Sequence, residues 1–221
     1  MSGTDAGRGG PGLRGEVLSV SVGAARAVQT DKRWVSTGIW KAPVGGRVAV
    51  RGVNLEGDDQ ADRTVHGGPD KAVYAYASED IAWWEARLGR PLGPAPFGEN
   101  LTTRGLDLST ARLGDRWRVG TTLLEVCQTR VPCFKLGLRM SDPRMVKAFA
   151  DAGRPGAYLR ILEEGDVGAG DAVDVVWRPD HEVTTALMSE ALLHDHDLLP
   201  RLLEAPALPA MFREWIASRE G

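Results

Sequence analysis

Thr129-Arg130-Val131-Pro132-Cys133-Phe134-Lys135 places one thiol between two permanent cations, just after an apolar, strand-like run. A thiol held near Arg and Lys is pushed toward thiolate, the form that attacks electrophiles or binds a soft metal. The chain has only two cysteines, so a disulfide framework does not account for this segment. Cys127 lies inside the run, on one strand face with Leu123, Glu125 and Thr129, and reads as a small buried hydrophobe.

Two further clusters mix glycine with polar residues. One is Gly57-Asp58-Asp59-Gln60-Ala61-Asp62 with His66-Gly67-Gly68-Pro69-Asp70-Lys71; the other is Phe97-Gly98-Glu99-Asn100-Leu101. Glycine lets a backbone approach a ligand and offers free N–H groups to an anion. His66, Lys71, Arg130 and Lys135 add positive charge, so the three clusters together suit a bulky, phosphorylated, anionic cofactor. Each cluster alone also reads as a tight turn carrying solvated charge. Asp58 and Asp59 read as turn residues rather than paired acid–base carboxylates. His194-Asp195-His196-Asp197 reads as a solvated helix end, because positions two apart do not share a helix face.

The elements that must position these groups are short strands. Val17, Leu18, Val20 and Val22 predict a first strand, and Val48, Val50 and Val53 a second. Residues 72–77, 116–119, 122–128, 158–162 and 172–177 predict five more, with Gly120-Thr121 as a tight turn. A helix is predicted over 78–88, capped by Ser78 and stopped by Gly89 and Pro91, with Trp83 and Trp84 as core contacts. A second is predicted over 143–152, with Asp142 as cap and Gly153 at the exit; Gly165, Gly168 and Gly170 punctuate the strands that follow.

From Thr184 the pattern changes. Leu187, Leu192, Leu198, Leu202, Phe212 and Ile216 recur at helical spacing, broken by Pro200, Pro206 and Pro209, which predicts two or three small helices. Residues 1–14 are expected to form a disordered arm, residues 15–178 a β-barrel-like domain, and residues 182–221 a helical domain. The wide apolar stripes of the tail make it a candidate homodimer surface.

A net charge of -3 argues against a nucleic-acid partner, which wants a clustered basic excess. The seven tryptophans therefore read as core anchors rather than base-stacking platforms. No apolar run is long enough to span a membrane, and the polar start lacks a signal-peptide core, so a cytoplasmic location is expected.

The ordered set of motifs resembles the MOSC domain, the C-terminal domain type of molybdenum-cofactor sulfurases, and within it the stand-alone YiiM-like proteins. The resemblance runs from about Gly15 to Trp177. It is carried by Gly57-Asp58-x-Gln60-Ala61-Asp62, His66-Gly67-Gly68-Pro69-Asp70-Lys71-Ala72, Phe97-Gly98-Glu99-Asn100-Leu101, Gly114-Asp115, Arg130-x-Pro132-Cys133-x-Lys135-Leu136, Gly156-x-Tyr158 and Gly170-Asp171. Residues from Thr184 onward are similar to the three-helix domain that follows the barrel in YiiM-like proteins. The fold so implied is mainly β with helices (α+β): a MOSC-type β-barrel core and a small C-terminal three-helix domain.

The resemblance also implies chemistry. The ligand is the molybdenum cofactor (molybdopterin), with Cys133 in the place of the proposed protein ligand to molybdenum, a soft donor for such a centre. Lys41, in Thr37-Gly38-Ile39-Trp40-Lys41, matches a recurrent family segment and is expected to face the cofactor phosphate. Lys71, Asn100, Arg130 and Lys135 are candidate cofactor contacts, and His66 is the expected catalytic proton source, by residue type. The implied activity is reduction of N-hydroxylated small molecules, such as hydroxylaminopurine-type base analogues, to amines. Electrons come from a separate flavin or iron–sulfur redox protein, since no cysteine cluster here can hold an iron–sulfur centre. Two readings compete with it: a carrier of cofactor or sulfur through Cys133, and a cofactor-free enzyme using a Cys133–His66 dyad. Pyridoxal phosphate is not expected, because the aminotransferase-like domain of the sulfurases is absent.

Overall fold

The computed structural model describes residues 12–30, 33–61 and 67–219. Most of the expected arm (residues 1–11) and His66 therefore lie outside the described residues. The first strands are β1 (Arg14–Val22), β2 (Arg26–Gln29), β3 (Trp34–Thr37), β4 (Ala42–Pro43), β5 (Arg47–Arg51) and β6 (Asn54–Leu55). Next come β7 (Val73–Ala77), β8 (Leu101–Arg104), β9 (Arg116–Val119), β10 (Thr122–Gln128), β11 (Ala157–Glu163), β12 (Gly165–Gly168) and β13 (Ala172–Trp177). The helices are α1 (Ser78–Leu88), α2 (Phe134–Met140), α3 (Met145–Asp151), α4 (Thr185–Leu193) and α5 (Ala210–Ala217).

Seven strands close into a barrel in the order β13-β9-β10-β11-β7-β8-β1, and β1 pairs back onto β13. The closing seam sets Arg14 opposite Asp174, so the first strand begins where the arm was expected to end. Alternation along the strands fills the interior with Val17, Val50, Trp117, Leu124, Leu159 and Val173, all buried. Closure leaves the main sheet no free edge at this seam.

The β7–β8 pair is parallel and so needs a crossover, which α1 supplies. The helix has the predicted bounds but not the predicted cap. Ala77 occupies the cap position, while the Ser78 hydroxyl lies within the helix and meets the Glu79 carboxylate at 3.1 Å. Gly89 ends it in the left-handed region. Trp84 is fully buried in a second core with Tyr74, Tyr76, Phe97, Leu136 and Phe149. Trp83 only half-buries, its ring carrying Arg87 and Arg154 on its face.

Three elements differ from the sequence reading. The helix expected over 143–152 starts at Met145, and Asp142 accepts from Arg144 N at 2.9 Å instead of capping from the adjacent position. Helix α2, directly after Cys133, was not predicted: Gly137 sits in its middle, and two prolines flank the segment. The glycine-rich stretch expected as punctuation contains β12, paired with β5 in a small side sheet with β6.

After β13 come α4, a 3₁₀ stretch over His196–Glu204, and α5. Their apolar residues pack on one another and on Leu113 of the barrel. The stripes that suggested a dimer surface are thus largely covered within the chain. Thr185 Oγ1 donates to Leu108 O at 2.5 Å, and Leu113 N donates to Val183 O at 2.9 Å, so the helices are fastened across the expected boundary. The His194-Asp195-His196-Asp197 residues point to separate tasks. His194 Nε2 meets Ala150 O at 3.1 Å, Asp195 caps the 3₁₀ stretch through Asp197 N, and His196 packs edge-on against Trp215.

Candidate functional site

One cavity gathers residues from all three sequence clusters. Lys41, Asp58, Asp59 and Gln60 line it from the loops after β3 and β6, Lys71 from a 3₁₀ turn, and Tyr74 from β7. Phe97, Gly98 and Asn100 come from the segment leading into β8; Arg130, Cys133 and Lys135 come from the β10–α2 connection; Tyr158 comes from β11. Six of the seven predicted site residues are therefore together: Cys133, Lys41, Lys71, Asn100, Arg130 and Lys135. The seventh, His66, is outside the described residues.

Cys133 is partly exposed and immediately precedes α2, where its carbonyl accepts from Leu136 N at 2.9 Å. Arg130 is buried, with the Tyr74 ring 5.0 Å and the Phe149 ring 5.6 Å from its guanidinium carbon. Its guanidinium donates to Phe97 O, and it forms no ion pair with a carboxylate among the described residues. Burial pulls the guanidinium down, but the neighbouring Tyr74, Tyr158 and Cys133 leave it above its ordinary value, and a guanidinium stays charged. A buried cation without a carboxylate is costly, so this corner of the cavity favours an incoming anion.

Lys41 is handled differently. Its side chain is 8% exposed and pairs with Asp58, itself 3% exposed. Burial holds the Lys41 ammonium below its ordinary range, with Asp58 pulling the other way. Asp58 does far more than make a turn. Oδ1 accepts from Gly23 N at 2.9 Å and from Lys41, and Oδ2 accepts from Asn100 Nδ2 at 2.9 Å. Asn100 spends its remaining amide capacity on Ser21 O and Tyr74 N. Asn100 thus lines the cavity with its amide already committed, which suits it to holding the wall rather than gripping a ligand.

The Phe97-Gly98-Glu99 turn is locked from inside. Glu99, fully buried, accepts from Phe97 N at 3.0 Å and from Thr102 Oγ1 at 3.3 Å. Burial pushes its carboxyl up to about 7. Gly98 has φ 74, and a Cβ there would lie 2.9 Å from Ile39 Cγ1 and 3.0 Å from Ile39 O, so this wall requires glycine. Gly156 is similar: its φ is 67, and a Cβ would sit 2.6 Å from Ala75 O and 2.9 Å from the Tyr74 hydroxyl.

Lys71 is placed by two side chains that sequence reasoning overlooked. Gln60 Nε2 donates to Lys71 O and Val53 O, while Gln60 Oε1 accepts from Gly68 N at 2.7 Å. Gln128 Nε2 and Cys127 Sγ both reach Asp70 O, and Arg160 pairs with the Asp70 carboxylate at 2.8 Å. Cys127 is the buried thiol the strand pattern predicts; burial pushes it up to about 12. Gln60 sits in a quoted motif, and that place is the only sequence signal that pointed to it. Asp58 and Glu99 likewise stand in those motifs: Asp58 depends on distant Gly23 and Asn100, whereas Glu99 bonds within its own turn.

Among the described residues no three His, Cys, Asp or Glu side chains cluster to hold a metal ion. One soft donor beside several cations fits a metal centre that brings its own ligands on an anionic carrier, rather than a bare ion. The cavity has a volume of about 110 Å³.

Comparison with known proteins gives a consistent picture. The sequence model of the MOSC domain matches residues 62–174. The chain is 36% identical to the uncharacterized protein YflK of Bacillus subtilis (strain 168) over 205 residues, 93% of each chain. It is 34% identical to YiiM of Escherichia coli (strain K12), covering 77% of this chain and 78% of that one. The crystal structure of YiiM from Geobacillus stearothermophilus superposes with a TM-score of 0.77 at 33% identity, covering 94% of this chain and 100% of that one. A protein named reductase from Gibberella moniliformis (strain M3125 / FGSC 7600) is 32% identical over 151 residues, 66% of this chain but 26% of its own length.

Proposed function

This chain belongs to the MOSC-domain family, and from that premise we propose that it holds a molybdenum cofactor through Cys133 and reduces N-hydroxylated small molecules to amines. The observation that carries the reading is the shared cavity. It sets a partly exposed thiol beside a buried guanidinium, which among the described residues forms no ion pair with a carboxylate. The reductase name of one relative agrees with it.

The overall change is R–NH–OH plus two electrons and two protons to R–NH2 plus water. When bound, the reduced cofactor supplies the electron pair that breaks the N–O bond. The chain's own residues do the rest. Cys133 offers the soft donor. Arg130, Lys71 and Lys135 supply positive charge toward an anionic carrier. Glu99, Gly98 and Asn100 keep the wall of the cavity fixed, so that the substrate meets preset geometry. A flavin or iron–sulfur protein returns the electrons.

The test is expression in a host that makes the cofactor, with molybdenum and pterin measured in wild type and in Cys133→Ala. Molybdenum near one per chain, lost in the variant, supports the ligand assignment. Turnover of a hydroxylaminopurine with an artificial reductant then supports the reductase; bound cofactor without turnover favours the carrier. Absence of both metal and pterin from the wild type sinks the proposal.

A further inference from the structure

We propose that the Lys41 ammonium is the acid that delivers a proton to the departing oxygen, an inference that rests on the reductase reading above. Lys41 lines the cavity with its head group fixed on a carboxylate. Asp58, the carboxylate in question, is immobilised by Gly23 N and by Asn100, so it orients Nζ without moving to meet a substrate. A lysine ammonium has three donors; Asp58 takes one, and the side chain lines the same cavity as Cys133. Arg130 cannot serve, because a guanidinium does not release a proton.

The charges acting on Lys41 are Asp58 and Glu99 on one side and Arg130 on the other. Burial outweighs the two carboxylates and makes proton release easier than from a solvated lysine. The neutral amine left behind keeps its bond to Asp58. Exposed Asp59, at the cavity edge, gives a route for a proton from solvent. The step balances: the N–O bond breaks with the electron pair supplied by the redox partner. The Lys41 N–H proton and a second proton leave with the oxygen and the amine, and solvent restores the ammonium.

The sequence resemblance gave Lys41 a different task, charge toward the cofactor phosphate, and the two roles separate by experiment. In the protein as purified, with lysine side chains isotopically labelled, an NMR titration compared with Lys41→Arg assigns and follows the Lys41 head group. A midpoint below the ordinary 10.5 is expected; a midpoint at or above it overturns the inference whether or not cofactor is present. In the loaded protein, Lys41→Arg is expected to keep its molybdenum and its KM while kcat falls about 100-fold. Lys41→Ala is expected to regain part of its kcat when a small primary amine is added. Full activity in the arginine variant, or no amine rescue, rejects Lys41 as the acid while leaving the reductase reading intact. A wild type that binds cofactor yet never turns over rejects the reading beneath it.

Discussion

Asn100 Nδ2 donates to Asp58 Oδ2 at 2.9 Å, joining two motifs 42 residues apart at the floor of the cavity. Asp58 is held on its other oxygen by Gly23 N and Lys41. Three stretches of chain thus converge on one buried carboxylate, and the cavity wall cannot shift without breaking a charged hydrogen bond.

Removing that carboxylate is expected to be severe. Asp58→Ala leaves Lys41 buried without its partner and Asn100 with only Ser21 O as acceptor, a loss of about 3 to 5 kcal/mol. The paired change Lys41→Met with Asp58→Leu recovers most of that loss, because the uncompensated charge is gone. Urea unfolding of the three proteins measures both quantities. Equal stability of Asp58→Ala and wild type is the outcome that contradicts the buried pair.

Glu99 makes stability depend on pH. Its carboxyl is raised from an ordinary 4.5 to about 7 by burial, so the folded chain binds a proton more tightly than the unfolded one. The contribution is fully present below 4.5 and is lost as pH rises through about 7. Glu99→Gln keeps the acceptor for Phe97 N and removes the titration. The variant should therefore gain on wild type between pH 4 and pH 8, by about 3 kcal/mol at most. Parallel denaturation curves at several pH values decide it; a constant difference across the range counts against a raised Glu99.

The two thiols should part cleanly. Cys127 is buried, donates to Asp70 O and is pushed up to about 12, whereas Cys133 is partly exposed in the cavity. A small alkylating agent at neutral pH is expected to modify the native chain once, at Cys133, and Cys133→Ser not at all. Intact mass and peptide mapping show which sulfur reacts. Labelling of Cys127 in the folded protein would place it outside the core.

How much of this was legible follows from range of interaction. Strands 116–119 and 122–128 and helix 78–88 were read correctly because alternation, a Gly120 turn and a Gly89 stop are local signals. Helix α2 was missed because Gly137 argues against it locally, whereas burial of Leu136 and Met140 in the second core favours it. Ser78 failed as a cap because the helix starts one residue earlier than its type suggests. The site shows the same division. Lys41, Lys71, Arg130, Cys133 and Lys135 were found by residue type and motif order. The use of Asp58 was not, since its partners Gly23 and Asn100 lie 35 and 42 residues away; Gln60 and Glu99 bond to near neighbours, Gly68 and Phe97, but only the folded turns aim their side chains inward.

Gly98 tests whether the cavity wall is as tight as its contacts indicate. Its φ of 74 is left-handed, and an added Cβ would meet both the side chain and the carbonyl of Ile39. Gly170 has φ 88 but nothing within 4 Å of an added Cβ, so it isolates the backbone cost. Gly170→Ala should lose about 1 kcal/mol, the price of a left-handed alanine. Gly98→Ala should lose about 1 to 3 kcal/mol more, because Ile39 must move as well. Ile39 also lines the cavity, so its displacement should be felt by the bound ligand. Gly98→Ala purified from a cofactor-making host is therefore expected to hold less molybdenum than Gly170→Ala. Thermal unfolding gives the first difference and metal analysis the second. Two alanine variants of equal stability and equal metal content would mean that the wall yields to a methyl group, and that the Ile39 contact does not shape the cavity.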